Sequence, residues 1–248
     1  MTKSSVSAPR ARVDFSRRVF LPELMDAADC DEALLRRSFI ELSFINRWLS
    51  RAHGLLRRYL VDDIVARGAQ NVRVADVGCG GGDILASLGR ELDARGIVAD
   101  LCGVDIDARA VRFAQERHAR PGLRFCEGSA LALERLFPDG CDYIFCNHVL
   151  HHFDDDDVPR VLRALAASTR RRLIVNDLAR SATSYAAFTA FAAVAFRGSF
   201  TFHDGRLSIR KGFRLPELRA ACERADISGA RFGTLFPGRV YLVSDARD

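Results

Sequence analysis

Residues 78–82 read Gly-Cys-Gly-Gly-Gly, set between a short apolar run over 72–77 and a helical pattern over 84–92. Passing from strand to helix through glycines needs φ > 0, which glycine reaches without steric cost. With no Cβ, the backbone there can also approach a ligand closely. The helix that follows starts with free N–H groups and a partial positive charge. The segment is therefore expected to hold a ligand, and the rest of the chain to build the sheet that presents it.

Strand and helix alternate from there on. Strands are expected over 97–104, 123–126, 142–146 and 172–176, and helices over 108–118, 158–167 and 215–224. Two last strands, 230–235 and 239–244, flank Pro237-Gly238 and should pair antiparallel. Such alternation predicts an α/β fold: a seven-stranded, mostly parallel sheet with helices on both faces and an antiparallel last strand. Right-handed crossovers place the carboxyl ends of the parallel strands on one edge, where ligands bind. The chemistry should follow residues 77, 104, 126, 146 and 176.

Before the sheet, residues 1–14 are polar, while 22–66 carry Leu35, Phe39, Leu42, Ile45, Leu55, Leu60 and Ile64 at helical spacing. We divide the chain into an N-terminal tail and helical cap, 1–66, and a ligand-binding domain, 67–248. Nearly 40 residues separate the fifth strand from the helix at 215, too many for a bare loop. A helix over 183–196, rich in aromatics, is expected inside a helical lid at about 179–213. It would cover a flat substrate, or serve as a packed cap or dimer contact, so a homodimer stays open.

Composition excludes several classes. Apolar residues make up 48%, so a sizeable core can form. The longest apolar candidate, 185–196, is interrupted by Thr189 and is far short of the ~18–20 residues of a membrane span. The first ten residues contain no signal-like apolar region, so a cytoplasmic location is expected. The 7 cysteines are scattered without Cys-x-x-Cys, which fits reduced thiols. The net charge of +5 comes from arginines interspersed with acids. No basic stripe interleaved with aromatics appears, so neither nucleic acid nor membrane is an expected partner.

The glycine loop narrows the ligand. A dinucleotide fingerprint would need a third glycine at 83 or 85, where Asp83 and Leu85 stand. An acid at the helix start would also repel a pyrophosphate, and a Walker loop would need a lysine that is absent. What remains is Gly-x-Gly-x-Gly behind Asp76. Val74-Ala-Asp-Val-Gly-Cys-Gly-Gly-Gly82, then Gly103-Val-Asp105-Ile-Asp107, then Cys141-Asp-Tyr-Ile-Phe-Cys-Asn147-His-Val-Leu-His-His152 resemble, in order, motifs of the class I S-adenosylmethionine-dependent methyltransferases. The resemblance covers about 70–245 and implies their Rossmann-like fold and S-adenosylmethionine as cofactor. It implies cofactor contacts from Asp76, Gly78, Cys79, Gly80, Gly82 and Asn147. Asp105 would hold the ribose hydroxyls and Ile106 would pack on the adenine. Ser129 and Ala130 are carried over from a third motif that departs from the family's, with Ser129 where an Asp is common. Asp107 is read as the cap of the next helix.

Methyl transfer needs the nucleophile held in line with the methyl, and a phenol also gains from losing its proton to a positioned His. His148, His151 and His152 would share one face if a helix starts there. Either one of them is the base, with His148 nearest the strand end favoured and His152 beside it, or they only support the cofactor loop. His203 in the lid is a second candidate base. No metal is expected: His148-x-x-x-His152 has zinc spacing, but Val149 stands where a zinc hydrolase has Glu. Asp154–Asp157 read as a solvated helix start.

In the resembled family, enzymes acting on amide or exocyclic amino nitrogens carry Pro-Pro-aromatic after the Asn; here His148-Val149 follows. The expected activity is O-methylation of a phenolic or polyketide-derived hydroxyl on a small molecule. C-methylation of a quinone or electron-rich ring, and a non-catalytic nucleotide-binding module, are the alternatives.

Overall fold

A computed structural model describes residues 13–246. Of the tail expected over 1–14, residues 1–12 lie outside the described residues. The chain first runs extended, makes one 3₁₀ turn at Leu24–Asp26, and enters α1 (Glu32–Trp48), capped by the Asp31 carboxylate on Leu34 N–H. Next comes one helical stretch made of α2 (Ala52–Leu56), a π turn over Arg57–Val61, and α3 (Asp62–Ala66). The βα units follow as β1 (Asn71–Val77), α4 (Asp83–Asp93), β2 (Val98–Asp105), α5 (Ala108–His118) and β3 (Leu123–Glu127). After a short α6 (Leu133–Leu136) come β4 (Cys141–Asn147), α7 (Asp157–Ala167) and β5 (Thr169–Leu178). The chain ends with α8 (Ala182–Ala195), α9 (Thr201–Lys211), α10 (Leu215–Arg224), β6 (Arg231–Leu235) and β7 (Arg239–Asp245).

The sheet has 7 strands in the order β3-β2-β1-β4-β5-β7-β6. β1 to β5 are parallel, and β7 enters antiparallel between β5 and β6. The order reverses between β1 and β4, which opens a crevice at their carboxyl ends. Strand alternation explains why both faces are covered. Along β4, Tyr143 and Phe145 join one apolar cluster with Leu60, Ile64 and Leu85, while Ile144 and Cys146 join the other with Val161 and Leu162. Each fully buried side chain of this size contributes roughly 1.5–3 kcal/mol.

The helices before the sheet are not equivalent. Leu55, Leu56, Leu60, Val61 and Ile64 belong to the sheet's own core cluster, so the stretch from α2 to α3 is part of the sheet's packing. α1 instead bridges two layers. Leu35 and Phe39 pack with Phe113 of α5, and Ile45 packs with Ala192 and Phe196 at the end of α8. The extended segment before α1 is strapped across the molecule. Arg18 donates to the carbonyls of Lys211, His151 and Phe153 and pairs with Asp155, while Asp204 accepts from the N–H groups of Leu24 and Met25. Nothing in the local sequence of 13–26 announces these contacts. α9 also goes beyond the sequence reading, which placed one helix in this insertion.

Candidate functional site

β1 delivers the glycine loop to the crevice. Gly78, Gly80 and Gly82 all have φ between 51 and 77°. A Cβ on Gly78 would lie 2.1 Å from Val149 Cγ2, and one on Gly82 would lie 2.7 Å from the Phe125 ring, so neither position admits a side chain. Gly80 meets nothing within 4 Å and lines the cavity. Its N–H donates to Asp105 Oδ2 at 2.8 Å, and Asp107 N–H donates to Oδ1 at 2.9 Å. Asp107 caps α5 through Arg109 N–H, as its sequence position predicts.

Three acids surround this loop. Asp76 is 2% exposed, and neither of its carboxylate oxygens has a hydrogen-bond partner among the described residues. Burial, reinforced by the charges of Asp83 and Asp105, pushes its carboxyl up to about 8. Burial also raises Asp83, which accepts from Asn46 Nδ2 at 3.1 Å, and raises Asp105 despite its two backbone donors. An orphaned buried carboxylate with two more beside it suits a ligand that brings positive charge and hydroxyl donors. The S-adenosylmethionine implied by the sequence, with its sulfonium, ammonium and ribose hydroxyls, meets that condition; a pyrophosphate does not. The Cys79 thiol next to it is raised well above its ordinary value by burial and stays protonated.

β4 and β5 deliver the other end. His148 follows β4 with φ 58°, held by its N–H to Asn176 carbonyl. The helix that would align the three histidines is only a 3₁₀ turn, Leu150–His152, yet the rings still gather. Burial, helped by the charge of Arg239, pushes the His148 imidazole well below its usual range. Its protonated form is thus disfavoured. His151 differs. Its Nδ1 lies 2.7 Å from Asp177 Oδ1, its N–H donates to Asp177 Oδ2, and its Nε2 is 3.8 Å from Glu23 Oε1. Burial opposes ionisation of Asp177, but the His151 and His148 rings and the Leu178 N–H hold its carboxyl well below the usual range. His152 Nδ1 faces Asp26 Oδ2 at 3.5 Å. Burial works against its charged form, but Asp26 and Glu23 outweigh that and raise its pKa, which ties the N-terminal strap to the turn after β4.

Both ends open on one cavity of about 1510 Å³. That exceeds the ~300–1,000 Å³ of a site for one drug-sized ligand, leaving room for two molecules side by side. Its outer wall comes from the strap (Phe20, Met25), α1 (Leu42, Ile45) and α8 (Phe188, Phe191). Asp76, Gly78, Cys79, Gly80, Asp105, Ile106, Ser129, Ala130, Asn147, His148 and His152 all line it; Gly82 turns instead under Phe125. Ile106 is 75% exposed, an open apolar face at the β2 end. Asn147 accepts from Asn176 Nδ2 at 2.7 Å.

His203 is placed otherwise than the sequence reading had it. Its side chain is 56% exposed, it pairs with Asp204, and it is not among the residues that line the cavity. α9 turns Asp204 and Ser208 inward and His203 out. Conversely, the sequence reading missed Glu23 and Lys211, a buried pair at 3.0 Å, and did not single out His151 from its neighbours. Glu23, His151 and His152 each offer a ligand atom within 4.8 Å of the others. A metal ion there would have to displace the Lys211 ammonium from Glu23 Oε1, which also accepts from Ser208 Oγ. Asp154 caps its own turn by accepting from the N–H groups of Asp156 and Asp157.

Residues 74–172 match a family model described as a methyltransferase domain. That span holds the glycine loop, Asp105 and the three histidines, but not the strap or α8–α9. An uncharacterized methyltransferase of Mycobacterium tuberculosis (strain ATCC 25618 / H37Rv) is 36% identical over 96 residues, 39% of this chain and 44% of that protein. The mitomycin biosynthesis 6-O-methyltransferase of Streptomyces lavendulae is 33% identical over 110 residues, 42% of this chain and 29% of that one. The chain thus spans less than half the length of these relatives. Among solved structures, the plantazolicin methyltransferase BpumL, in complex with a triazolic desmethylPZN analog and SAH, superposes with a TM-score of 0.65. The match covers 88% of this chain and 96% of that one at 14% identity, a likeness of fold. Among the described residues no helix is long and apolar enough to cross a membrane.

Proposed function

We propose that this chain is a class I S-adenosylmethionine-dependent methyltransferase that O-methylates a phenolic hydroxyl on a small, flat molecule, a reading supported by the methyltransferase-domain match over 74–172. The observation that carries the reading is His151, which lines the same cavity as the glycine loop and Asp105 and is anchored 2.7 Å from the fully buried Asp177 carboxylate. The cofactor supplies an electrophilic methyl on a sulfonium. The remaining work falls to the protein. Asp105 spends two acceptor sites on Gly80 and Asp107 N–H groups, and a carboxylate has about four, so two remain for the ribose hydroxyls. Asp177 accepts the Nδ1 proton of His151, which leaves Nε2 with the lone pair that takes the acceptor's hydroxyl proton as the new O–C bond forms. The aromatic faces of α8 and the strap flatten the acceptor against the cofactor and exclude water. Holding the two reactants in line is worth about 7–11 kcal/mol.

An O-methyltransferase among the relatives supports oxygen as the acceptor atom. Residues 67–248 would then form the cofactor-binding domain, with the insertion at 179–213 and the strap completing the acceptor site. The test has two readouts. Calorimetry with S-adenosylhomocysteine should show one-site binding. Incubation of phenols and naphthols with carbon-13 methyl-labelled cofactor should give label on oxygen, resolved from label on carbon by its chemical shift. Binding without any label transfer would reduce the protein to a nucleotide-binding module, and label on carbon would overturn the O-methyl reading. Asp105→Ala should weaken S-adenosylhomocysteine by about 2–4 kcal/mol, roughly 30- to 1000-fold, through the lost charge-assisted pair. An unchanged dissociation constant would remove Asp105 from the ribose site.

A further inference from the structure

The chain buries four cations among its described residues, and one of them stands apart. Arg18 pairs with Asp155 and donates to three carbonyls. Arg180 pairs with Glu217 through two nitrogens and donates to the carbonyls of Phe15, Ser16 and Gly212. Lys211 sits on Glu23. Arg239 is 7% exposed and, among the described residues, forms no ion pair. Among the described residues its one hydrogen bond runs from Nη1 to the carbonyl of its neighbour Gly238, 3.0 Å away, and its Nε is buried without a partner.

Leaving a guanidinium buried and unpaired costs several kcal/mol, and proteins seldom keep one without a use. Arg239 opens β7 opposite Leu178, at the end of β5, and both residues line the cavity on the side away from the glycine loop. His148, also on that wall, has a buried Nε2 with no partner. Burial lowers the Arg239 guanidinium, partly offset by the Asp177 carboxylate, to about 10, so it is cationic at neutral pH. Asp177 does not neutralise it by contact, being engaged with the His151 ring and the N–H groups of His151 and Leu178.

We propose that Arg239 is an anion subsite for the methyl acceptor, and that the acceptor is a flat hydroxy-aromatic compound carrying a carboxylate. The claim rests on the methyltransfer reading only in taking the bound molecule to be the acceptor. A planar fork matches a carboxylate with two parallel hydrogen bonds. A single negative charge is favoured over a phosphate dianion because acids outnumber bases on the wall: Asp26, Asp204 and Glu127 line it beside the Glu23–Lys211 pair and Arg109.

The probes are 1-hydroxy-2-naphthoate and 1-naphthol, titrated calorimetrically into the full chain saturated with S-adenosylhomocysteine. The natural protein should bind the carboxylate at least tenfold more tightly. Arg239→Gln should bring the two probes to within about twofold of each other, and Arg239→Lys should keep part of the preference. Both variants should hold S-adenosylhomocysteine as the natural chain does, which controls for folding and reads the cofactor end separately. Equal binding of the two probes by the natural protein, no binding of the naphthoate, or a preference that survives Arg239→Gln would each overturn the assignment. Loss of S-adenosylhomocysteine binding by the natural chain would instead strike the methyltransfer reading.

Discussion

Asp76→Asn is expected to make the ligand-free protein more stable at pH 8 and the cofactor complex weaker. Both oxygens of Asp76 are buried without a partner, and burial with the Asp83 and Asp105 charges carries its carboxyl to about 8, against an ordinary value of 3.8. The sign follows from where the proton sits. The unfolded chain releases it near 3.8 while the folded chain keeps it to about 8, so the unfolded state binds fewer protons in between. Stability from this group is therefore complete below the unfolded value and drains away as the pH climbs through the folded one. The loss is on the order of several kcal/mol, since each pH unit of separation is worth ~1.4 kcal/mol. Asparagine has no proton to lose and nearly the same shape. The variant should match the natural chain below about pH 4 and pull ahead as the pH rises, by on the order of 10 °C in Tm at pH 8. Affinity should move the other way, because the cofactor's positive end loses its counter-charge, by about 1.5–3 kcal/mol. Near pH 7 the natural chain should release up to one proton per S-adenosylhomocysteine bound, read by calorimetry in two buffers of different ionisation heat, and the variant distinctly less. A Tm difference that stays flat from pH 5 to 8 would mean that Asp76 is not the buried, unpaired acid described.

Why Asp76 could be picked out from sequence, and others not, comes down to range. The loop of glycines and the Asp107 cap are local: each is set within a few residues, and each was legible. So were the strands buried on both faces, because burial there forces continuous apolar runs. β5 was expected over 172–176 but runs Thr169–Leu178. Its start is Arg170-Arg171-Arg172, which looks like solvent-facing chain until Asp63 and Asp245 arrive from elsewhere in the sequence to pair with Arg171 and Arg172. In α9 the local signal is weakened by Gly205 in mid-helix. That glycine is needed by packing: a Cβ there would lie 2.4 Å from Phe188 Cζ of α8. The histidines make the same point most sharply. Three lie in five residues, and nothing among them says which is oriented. The deciding partner, Asp177, comes from the next strand, 26 positions on. His148 drew attention by its place at the strand end, yet that place desolvates its ring and disfavours its protonated form. Glu23 meets Lys211 across 188 positions, and Arg239 is notable only for a partner it lacks. Such facts exist only in three dimensions.

The largest catalytic effect should come from the His151–Asp177 pair. His151→Ala should lower kcat by about 10²–10⁴-fold, the usual worth of a positioned base, while S-adenosylhomocysteine binds within about twofold of its natural affinity. His148→Ala should cost kcat less than tenfold, since that buried ring is poorly suited to take a proton. Asp177→Asn should approach the His151 loss because an amide no longer fixes Nδ1–H toward itself and leaves the lone pair of Nε2 undirected. Asp177 also accepts two backbone N–H groups, so its variant is read beside circular dichroism and cofactor binding. What separates a base from a mere positioning group is the acidity of the acceptor. A nitro-substituted naphthol is largely ionised before it binds and has no proton for His151 to take. With that acceptor the His151→Ala deficit should shrink at least tenfold relative to the unsubstituted naphthol. If the deficit is the same for both acceptors, His151 holds the substrate without accepting its proton, and the acid–base role assigned here is wrong. The expected pattern follows from one arrangement: a ring nitrogen anchored on the buried Asp177 carboxylate, with the opposite nitrogen beside Glu23 in a residue that lines the cavity.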